Sequence, residues 1–176
     1  MDKYNQASFD EVMLFVRREV SQFIDAHPGE VFSAFAFDCN IWEGVELNLC
    51  LTTQGYLNEI LHYYQTGARK DYYQTDEGIL SLKYNTGDWK YQCFSSMNCV
   101  KDEDYSYFDT DDKQEKYQYW INLLAQVMNE FLQTPEYAAI PKLLDFKVLV
   151  YDHDEDPESS EQRLTAFGDR PAFRLN

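Results

Sequence analysis

The chain has 176 residues, with 15 Lys and Arg against 31 Asp and Glu, which gives a formal net charge of −16 at pH 7. This length predicts one domain, and 44% hydrophobic residues are ample for a buried core. The charge repels phosphate backbones and anionic lipid, so it disfavours nucleic acid and membrane surfaces and leaves a basic protein as the expected partner. No apolar run reaches the ~20 residues that a membrane span needs, and the N-terminus lacks a signal-peptide pattern, so we expect a cytoplasmic protein.

The clearest helical pattern lies near the N-terminus. Apolar residues within residues 8–27 recur at the i, i+3, i+4 and i+7 spacing that places them on one helix face. Ser8 and Glu11 have the spacing of a capping box, in which each side chain accepts a hydrogen bond from a backbone amide of the first turn. The sequence therefore predicts an amphipathic helix with a marked start, and a Pro-Gly pair marks its end.

Two strands and a shorter helix are predicted next. Residues 31–37 are apolar on both faces, which is typical of an interior strand. Residues 45–51 alternate between apolar positions and more polar, solvent-facing positions, which is typical of a half-buried strand. Helical spacing returns within residues 54–66, and Gly67 fits a C-terminal cap. We therefore expect a strand, a second strand and a helix in this order.

A hairpin is predicted in the middle of the chain. Residues 79–84 place Leu80, Leu82 and Tyr84 on one face, and alternation returns over residues 89–93. The turn-forming sequence Asn-Thr-Gly-Asp separates the two runs. The pattern therefore predicts two antiparallel strands joined by a tight turn.

The C-terminal half carries a second long helix and a final strand. An apolar stripe predicts a helix over residues 112–133, with Asp112 and Glu115 as candidate capping residues. A short helical turn bracketed by two prolines follows, and residues 146–151 then alternate as a strong strand. No element is predicted in the polar C-terminal segment 152–176.

These elements predict an α+β fold, because the strands are joined by both turns and helices without regular βαβ alternation. We expect a single domain over residues 1–176 with a mainly antiparallel sheet of about five strands. The helices over residues 8–27 and 112–133 each have one apolar stripe to bury, so we expect both to pack on one face of the sheet.

The four cysteines, at positions 39, 50, 93 and 99, lack the paired CxxC spacing of a structural zinc site. Reduced thiols, several of them in the core, are the favoured interpretation, ahead of a disulfide and a metal site. We therefore expect a fold that needs no metal and no cofactor.

The net charge is concentrated in two short segments. Residues 101–115 contain seven carboxylates and two lysines, and residues 152–161 contain six carboxylates and no Lys or Arg. The first segment also interleaves aromatic residues with its acids, and aromatic anchors ringed by charge are typical of protein interfaces. The alternative is a solvated acidic loop whose aromatic residues pack onto the core. The candidate partner-binding residues are Asp102, Glu103, Asp104, Tyr105, Tyr107, Phe108, Asp109, Asp111, Asp112, Asp152, Asp154 and Asp156.

The acidic run over residues 152–156 also allows a metal site or a catalytic base. An EF-hand loop beginning at Asp152 requires Gly and Glu where this chain has Pro157 and Arg163, so that motif is excluded. A looser divalent-cation site and a general base at His153 stay open as alternatives to a solvated loop. No GxSxG, HExxH, glycine-rich phosphate-binding or Cys–His signature occurs, so no catalytic residue is assigned.

Four short stretches resemble one bacterial family of domains of unknown function. They are the strand Phe-Ser-Ala-Phe-Ala-Phe-Asp over residues 32–38, the segment 84–91, the strand end Asp-His-Asp over residues 152–154, and the closing Arg-Leu-Asn. Members are similar in length to this chain and begin with the same amphipathic helix, followed by an aromatic-alanine strand. They are often encoded beside toxins and are proposed to be immunity proteins, so the resemblance implies this role here and assigns no functional residues.

Two classes of function therefore follow. The first is an immunity protein that binds and neutralises a cognate basic toxin, such as a nuclease with a positive cleft, through its acidic surface. The alternative is an uncharacterised cytosolic enzyme or metal-binding domain that uses the loop over residues 152–156. A scaffold or adaptor module is a third and less specific function.

Overall fold

The computed structural model of the chain describes residues 5–101, 106–155 and 157–168. Within them the fold is α+β, as the sequence predicts, and no helix is long and apolar enough to cross a membrane. The strands are β1 (Asn5–Gln6), β2 (Phe32–Asn40), β3 (Glu46–Thr52), β4 (Tyr91–Asn98), β5 (Val100–Lys101) and β6 (Lys142–Asp152). The helices are α1 (Phe9–Ala26), α2 (Gln54–Thr66), α3 (Asp76–Tyr84), α4 (Lys113–Phe131), α5 (Pro135–Ala139) and α6 (Pro157–Gly168).

The main sheet is mixed and has the strand order β4-β3-β2-β6. β3 pairs antiparallel with both β2 and β4, whereas β6 runs parallel to β2. β1 and β5 form a separate antiparallel pair. The expected antiparallel sheet of about five strands is therefore only roughly matched, because α4 and α5 return the chain to the end at which β2 begins. At that end the Phe32 amide donates to the Pro141 carbonyl oxygen at 2.8 Å.

The central strand β2 separates two hydrophobic layers. Phe35 and Phe37 lie in the cluster that includes the buried faces of α1 and α4. Ala34 and Ala36 lie in a second, smaller cluster with Trp89 and residues of α2 and β6. The phenylalanine rings of β2 thus fill the core under the two long helices. The small alanine side chains allow the residues on the opposite face of the sheet to pack closer to the β2 backbone.

The predicted strand over residues 79–84 is wrong, because these residues belong to helix α3. Thr75 caps this helix by accepting a hydrogen bond from the Gly78 amide at 3.1 Å. Leu82 is buried whereas Leu80 is 52% exposed, so the alternating residues do not share a buried face. The predicted hairpin is therefore absent as well, and β4 pairs with β3 instead.

The two predicted helix caps have different outcomes. The capping box of α1 is confirmed, since the Glu11 amide donates to Ser8 Oγ at 3.3 Å and the Ser8 amide donates to the Glu11 carboxylate at 2.7 Å. Asp112 is the N-cap residue of α4, as predicted, but the predicted capping interaction is not formed, since its side chain bonds to no backbone amide of the helix. The Asp112 carboxylate pairs with Lys116 at 3.0 Å instead. A nearby ammonium group thus competes with the helix end for this carboxylate.

Helix α6 lies within the polar segment for which no element is predicted. Its Ser160 hydroxyl accepts a hydrogen bond from the Val150 amide at 2.6 Å, and Arg163 donates to the Val150 carbonyl oxygen at 2.7 Å. These contacts attach α6 to the outer side of β6. Leu164 of α6 also packs against the main hydrophobic cluster. Polar residues dominate the sequence of this segment, so no clear hydrophobic period marks the helix.

Candidate functional site

Three segments that are distant in the sequence meet at the carboxyl ends of the parallel strands β2 and β6. They are the β2–β3 loop, the segment that precedes and begins α4, and the loop that follows β6. The Ile41 amide of the first segment donates to the Asp152 carboxylate of the third at 3.0 Å. The carboxyl ends of parallel strands are where open sheets containing such strands most often bind ligands. This end of the sheet is therefore the candidate functional site.

Trp42 lies at the centre of this meeting point. Its ring stacks on Tyr117 with centroids 4.8 Å apart, and its centroid lies 5.2 Å from that of Phe108. The residue keeps 38% of its surface exposed. A tryptophan held by two neighbouring rings and still open to solvent is the kind of anchor that protein interfaces use.

The loop that carries Trp42 is held in an unusual backbone conformation. The Val45 amide closes a turn by donating to the Ile41 carbonyl oxygen at 3.1 Å. Gly44 has a φ of 100° and Val45 a φ of 57°, which a β-branched residue rarely adopts. Such strain costs about 1–3 kcal/mol and persists where the surroundings over-determine it. Val45 meets this condition, because it is fully buried and its carbonyl oxygen accepts from the Cys99 amide at 3.0 Å.

Tyr117, which follows the first acidic segment in helix α4, is hydrogen-bonded to the second acidic segment at this site. Its hydroxyl donates to the Glu155 carboxylate at 3.0 Å, and the same carboxylate accepts two hydrogen bonds from Arg163 at 2.8 Å. Burial, followed by the hydrogen bond to Glu155, raises the pKa of Tyr117 well above its ordinary value. The phenol therefore stays protonated and remains a donor at neutral pH.

The predicted partner-binding residues are divided between surface, core and undescribed parts of the chain. Asp109, Asp111, Asp112 and Asp154 are exposed. Phe108 is half-buried against the core, and Tyr107 and Asp152 are buried. Asp102, Glu103, Asp104, Tyr105 and Asp156 lie outside the described residues.

Tyr107 belongs to the hydrophobic core, with 3% of its surface exposed. Its hydroxyl accepts a hydrogen bond from Trp120 Nε1 at 3.0 Å. Burial is the main cause that raises the pKa of this phenol. The position matches the alternative in which an aromatic residue of the acidic segment packs onto the core, and it leaves the exposed anchor of this region to Trp42.

Asp152 is a buried carboxylate with 3% of its surface exposed. It accepts hydrogen bonds from the Ile41 amide at 3.0 Å and from the Asp154 amide at 3.4 Å. Burial raises its pKa, although both amides act in the opposite direction. Its contacts hold the β2–β3 loop and the β6 loop together, and Asp154 next to it is the carboxylate that reaches solvent.

A second polar group of residues lies on the opposite face of the same strands. Asp38 accepts a hydrogen bond from the Thr86 hydroxyl at 2.5 Å, and the Thr86 oxygen lies 2.7 Å from the Tyr151 hydroxyl. His153 Nδ1 lies 3.4 Å from the other Asp38 oxygen, with 64% of the histidine side chain exposed. A carboxylate beside an imidazole is the arrangement that orients a general base.

A nucleophile suited to that histidine is lacking among the nearby thiols. Cys93, the exposed cysteine of the four, donates to the Asn48 side-chain oxygen at 3.1 Å. Burial, followed by the Glu46 and Asp38 carboxylates, raises its pKa, which keeps the thiol protonated and unreactive. The described part of the chain also contains no group of three or more His, Cys, Asp or Glu side chains placed to hold a metal ion.

Trp42, Glu43 and Tyr117 are the site residues that sequence reasoning missed, and Tyr117 lies within the helix predicted over residues 112–133. Glu43 is exposed and accepts a hydrogen bond from the Asn40 side chain at 2.9 Å. The only local signal is an aromatic-acidic pair directly before a glycine, between two predicted strands. We call the set Trp42, Glu43, Phe108, Asp109, Tyr117 and Asp154 the acidic-aromatic surface.

Comparison of the chain with protein-family models, with curated proteins and with solved structures gave no match. The functional argument therefore depends on the geometry and charge of the acidic-aromatic surface.

Proposed function

We propose that this chain is an immunity-type protein that binds and neutralises a cognate basic toxin through the acidic-aromatic surface. The observation that carries the proposal is the position of Trp42, an exposed ring that contacts Phe108 and Tyr117 where the β2–β3 loop meets the start of α4 and the loop after β6. Exposed carboxylates accompany the segments that meet here: Glu43 follows Trp42, Asp109 follows Phe108, and Asp154 lies in the loop after β6.

The two components of this surface have different roles in binding. Exposed carboxylates raise the local concentration of a basic partner and accelerate association, but they add little affinity once water screens them. A desolvated aromatic anchor supplies affinity, and hot spots of this kind typically contribute about 2 kcal/mol or more. A toxin whose active-site cleft attracts phosphate presents the complementary positive charge. Covering that cleft would block its substrate.

Preorganisation supports a binding role for this surface. Trp42 is confined by two rings, and its loop is fixed by the turn between Ile41 and Val45 and by the hydrogen bond to Asp152. Less side-chain and loop entropy is then lost when a partner docks. The strained backbone at Val45 is consistent with a loop shape that is maintained for function.

The proposal expects a toxin domain to be encoded next to this chain, and the test is protection of cells when that domain and this chain are co-expressed. The wild type should restore growth, and calorimetry with the purified toxin domain should show a one-to-one complex. Trp42→Ala should weaken binding by at least about tenfold, with little change in the melting temperature. Tyr63→Ala is the matched control, because it removes a 69% exposed ring from α2, outside the acidic-aromatic surface.

Two results would contradict the proposal. One is a neighbouring toxin domain that the wild type neither binds nor neutralises. The other is a complex in which Trp42→Ala binds as tightly as the wild type and as Tyr63→Ala, which would place the contact elsewhere.

A further inference from the structure

Helix α6 directs its one cationic side chain toward the sheet. Arg163 is the only Lys or Arg in residues 152–168, and its side chain is 12% exposed. Its guanidinium donates to the Val150 carbonyl oxygen at 2.7 Å and to both carboxylate oxygens of Glu155 at 2.8 Å. A planar guanidinium that contacts two groups at once holds them in a fixed relative position. Arg163 therefore fixes Glu155 relative to strand β6.

The Glu155 carboxylate is held by three donors. Besides the guanidinium, it accepts hydrogen bonds from the Tyr117 hydroxyl at 3.0 Å and from the Asp152 amide at 3.2 Å. Burial, and in addition the nearby negative charge of Glu155, raises the pKa of Asp152, so the two carboxylates repel each other. The charge of Arg163 offsets this repulsion. Without it, repulsion and hydration would favour a Glu155 side chain that turns away from Tyr117.

Tyr117 connects this carboxylate to the exposed tryptophan. Its hydroxyl is bound by Glu155, and its ring face stacks on Trp42 with 17° between the two planes. A tyrosine that is fixed by its backbone at one end and by a hydrogen bond at the other has little freedom to turn. Trp42 is 38% exposed, so its orientation depends on the rings that it contacts. A continuous series of contacts thus runs from Arg163 of α6 to Trp42.

We propose that Arg163 is a positioning residue, which orients the Trp42 anchor through the carboxylate of Glu155. This inference deepens the proposed function and rests on it for the role of Trp42 in binding. Arg163 lies outside the acidic-aromatic surface and acts on the free chain, where it restricts the orientations of the anchor. Less side-chain entropy is then lost when a basic partner docks. Helix α6 thus supports binding and needs no contact with the partner.

Acrylamide quenching of the chain alone measures the orientation of the anchor. Trp89 and Trp120 are fully buried, so the quenchable emission comes from Trp42. Arg163→Gln removes the guanidinium and should raise the quenching constant about twofold, since a ring that is 38% exposed gains contact with solvent when its stack loosens.

Arg17→Gln is the matched control. Arg17 of α1 pairs with Glu136 of α5 at 2.8 Å, so this variant also removes an Arg–Glu contact between two helices. It should leave the quenching of Trp42 unchanged, because the pair does not belong to the series of contacts that leads to Trp42. Arg163→Lys keeps a positive charge beside Glu155 and should give an intermediate quenching constant. It provides the measurement if Arg163→Gln does not fold.

A double-variant cycle distinguishes positioning from a purely structural role of Arg163. Tyr117→Phe keeps the ring and removes the hydroxyl that donates to Glu155. It should raise the quenching constant as Arg163→Gln does, and the two changes together should raise it little more than either alone. If Arg163 only attaches α6 to the sheet, its loss would add the same increment with and without the Tyr117 hydroxyl. That result would overturn the proposal.

Wild-type quenching in every Arg163 variant that folds would overturn it as well. Because the measurement needs no partner, its outcome is separate from that of the proposed function. A chain that shows the expected quenching but neither binds nor neutralises a basic toxin would contradict the proposed function and leave the positioning of Trp42 by Arg163 intact.

Discussion

The rings of Trp42 and Tyr117 stack with centroids 4.8 Å apart and 17° between their planes. This contact joins the β2–β3 loop to the first turns of α4, and the hydrogen bond from Tyr117 to Glu155 extends it to the loop after β6. Tyr117 thus contacts two of the other segments that form the acidic-aromatic surface.

The stack predicts how the fluorescence of this chain responds to a quencher. Trp89 and Trp120 are fully buried, so Trp42 is the tryptophan that acrylamide reaches. Trp42→Phe should remove the quenchable component of the emission. Tyr117→Ala should increase quenching, because it removes one of the two rings that shield Trp42. Quenching that is unchanged in Trp42→Phe would contradict the exposed position of this ring.

The buried position of Tyr107 predicts a stability effect. Tyr107→Phe keeps the ring but leaves Trp120 Nε1 without its acceptor, and an unsatisfied buried donor costs about 1–3 kcal/mol. We expect a lower free energy of unfolding in urea by this amount, with partner binding unchanged once the variant is folded. Tyr119→Phe is the control, since this tyrosine is 45% exposed. A Tyr107→Phe variant that is as stable as the wild type but binds poorly would return the anchor role to Tyr107.

The helix ends and strand periods that follow from local interactions are the part of the fold that the sequence predicts well. The Ser8–Glu11 box depends on residues three positions apart, and β2 has a continuous apolar run that is typical of an interior strand. The run over residues 79–84 is different, because a pattern this short is compatible with a strand and with a helix. The hydrogen bond from the Gly78 amide to the N-cap residue Thr75 then stabilises the helix.

Non-local features account for what the sequence does not predict. The parallel pairing of β2 with β6 depends on the end of the sheet to which α4 and α5 return the chain, which no local pattern specifies. The acidic-aromatic surface depends on contacts from Trp42 to Phe108 and Tyr117, more than sixty positions away in the sequence. Charge density in the sequence singles out the two acidic segments, whereas the position of Trp42 between Phe108 and Tyr117 is set by the fold.

The raised pKa of Asp152 predicts that the stability difference between the wild type and Asp152→Asn depends on pH. Burial is the main cause that raises this pKa above its ordinary value of 3.8. The folded protein therefore binds this proton more readily than the unfolded chain. The Asp152 carboxyl contributes to stability fully below pH 3.8, and this contribution is lost as the pH rises through the pKa of the folded state. Asp152→Asn cannot ionise, so its stability relative to the wild type should increase from acidic to neutral pH.

Urea unfolding at several pH values measures this difference. Asp145→Asn serves as the control, because it removes an exposed carboxylate from the same strand. A relative stability of Asp152→Asn that decreases as the pH rises would show that the hydrogen bonds from Ile41 and Asp154 outweigh burial.

The cysteines predict that stability is independent of redox conditions and of metal. Cys39, Cys50 and Cys99 are buried free thiols, and burial raises the pKa of each. Protonated, buried thiols neither ligate metal nor exchange readily. Thermal melts with a chelator and with a reductant should therefore match the untreated sample. A large fall in the melting temperature with either reagent would reveal a metal site or a disulfide that supports the fold.

The last prediction concerns which carboxylates of the acidic-aromatic surface matter most for binding the proposed basic partner. Asp109 follows Phe108, which contacts Trp42, whereas Asp154 lies in the loop after β6. A charge close to the anchor acts on a partly desolvated contact, and a charge at the rim mainly affects the association rate. We therefore expect Asp109→Lys to weaken binding more than Asp154→Lys does.

Stopped-flow measurements at increasing salt separate the two effects. Exposed charges are screened beyond about 8 Å at physiological ionic strength, so the association rate should fall with salt while the dissociation rate changes less. Asp25→Lys, an equal charge reversal at the exposed end of α1, is the control and should change the association rate least. If Asp154→Lys is instead the more damaging change, the contact is centred on the loop after β6. An association rate that does not depend on salt would argue against electrostatic steering altogether.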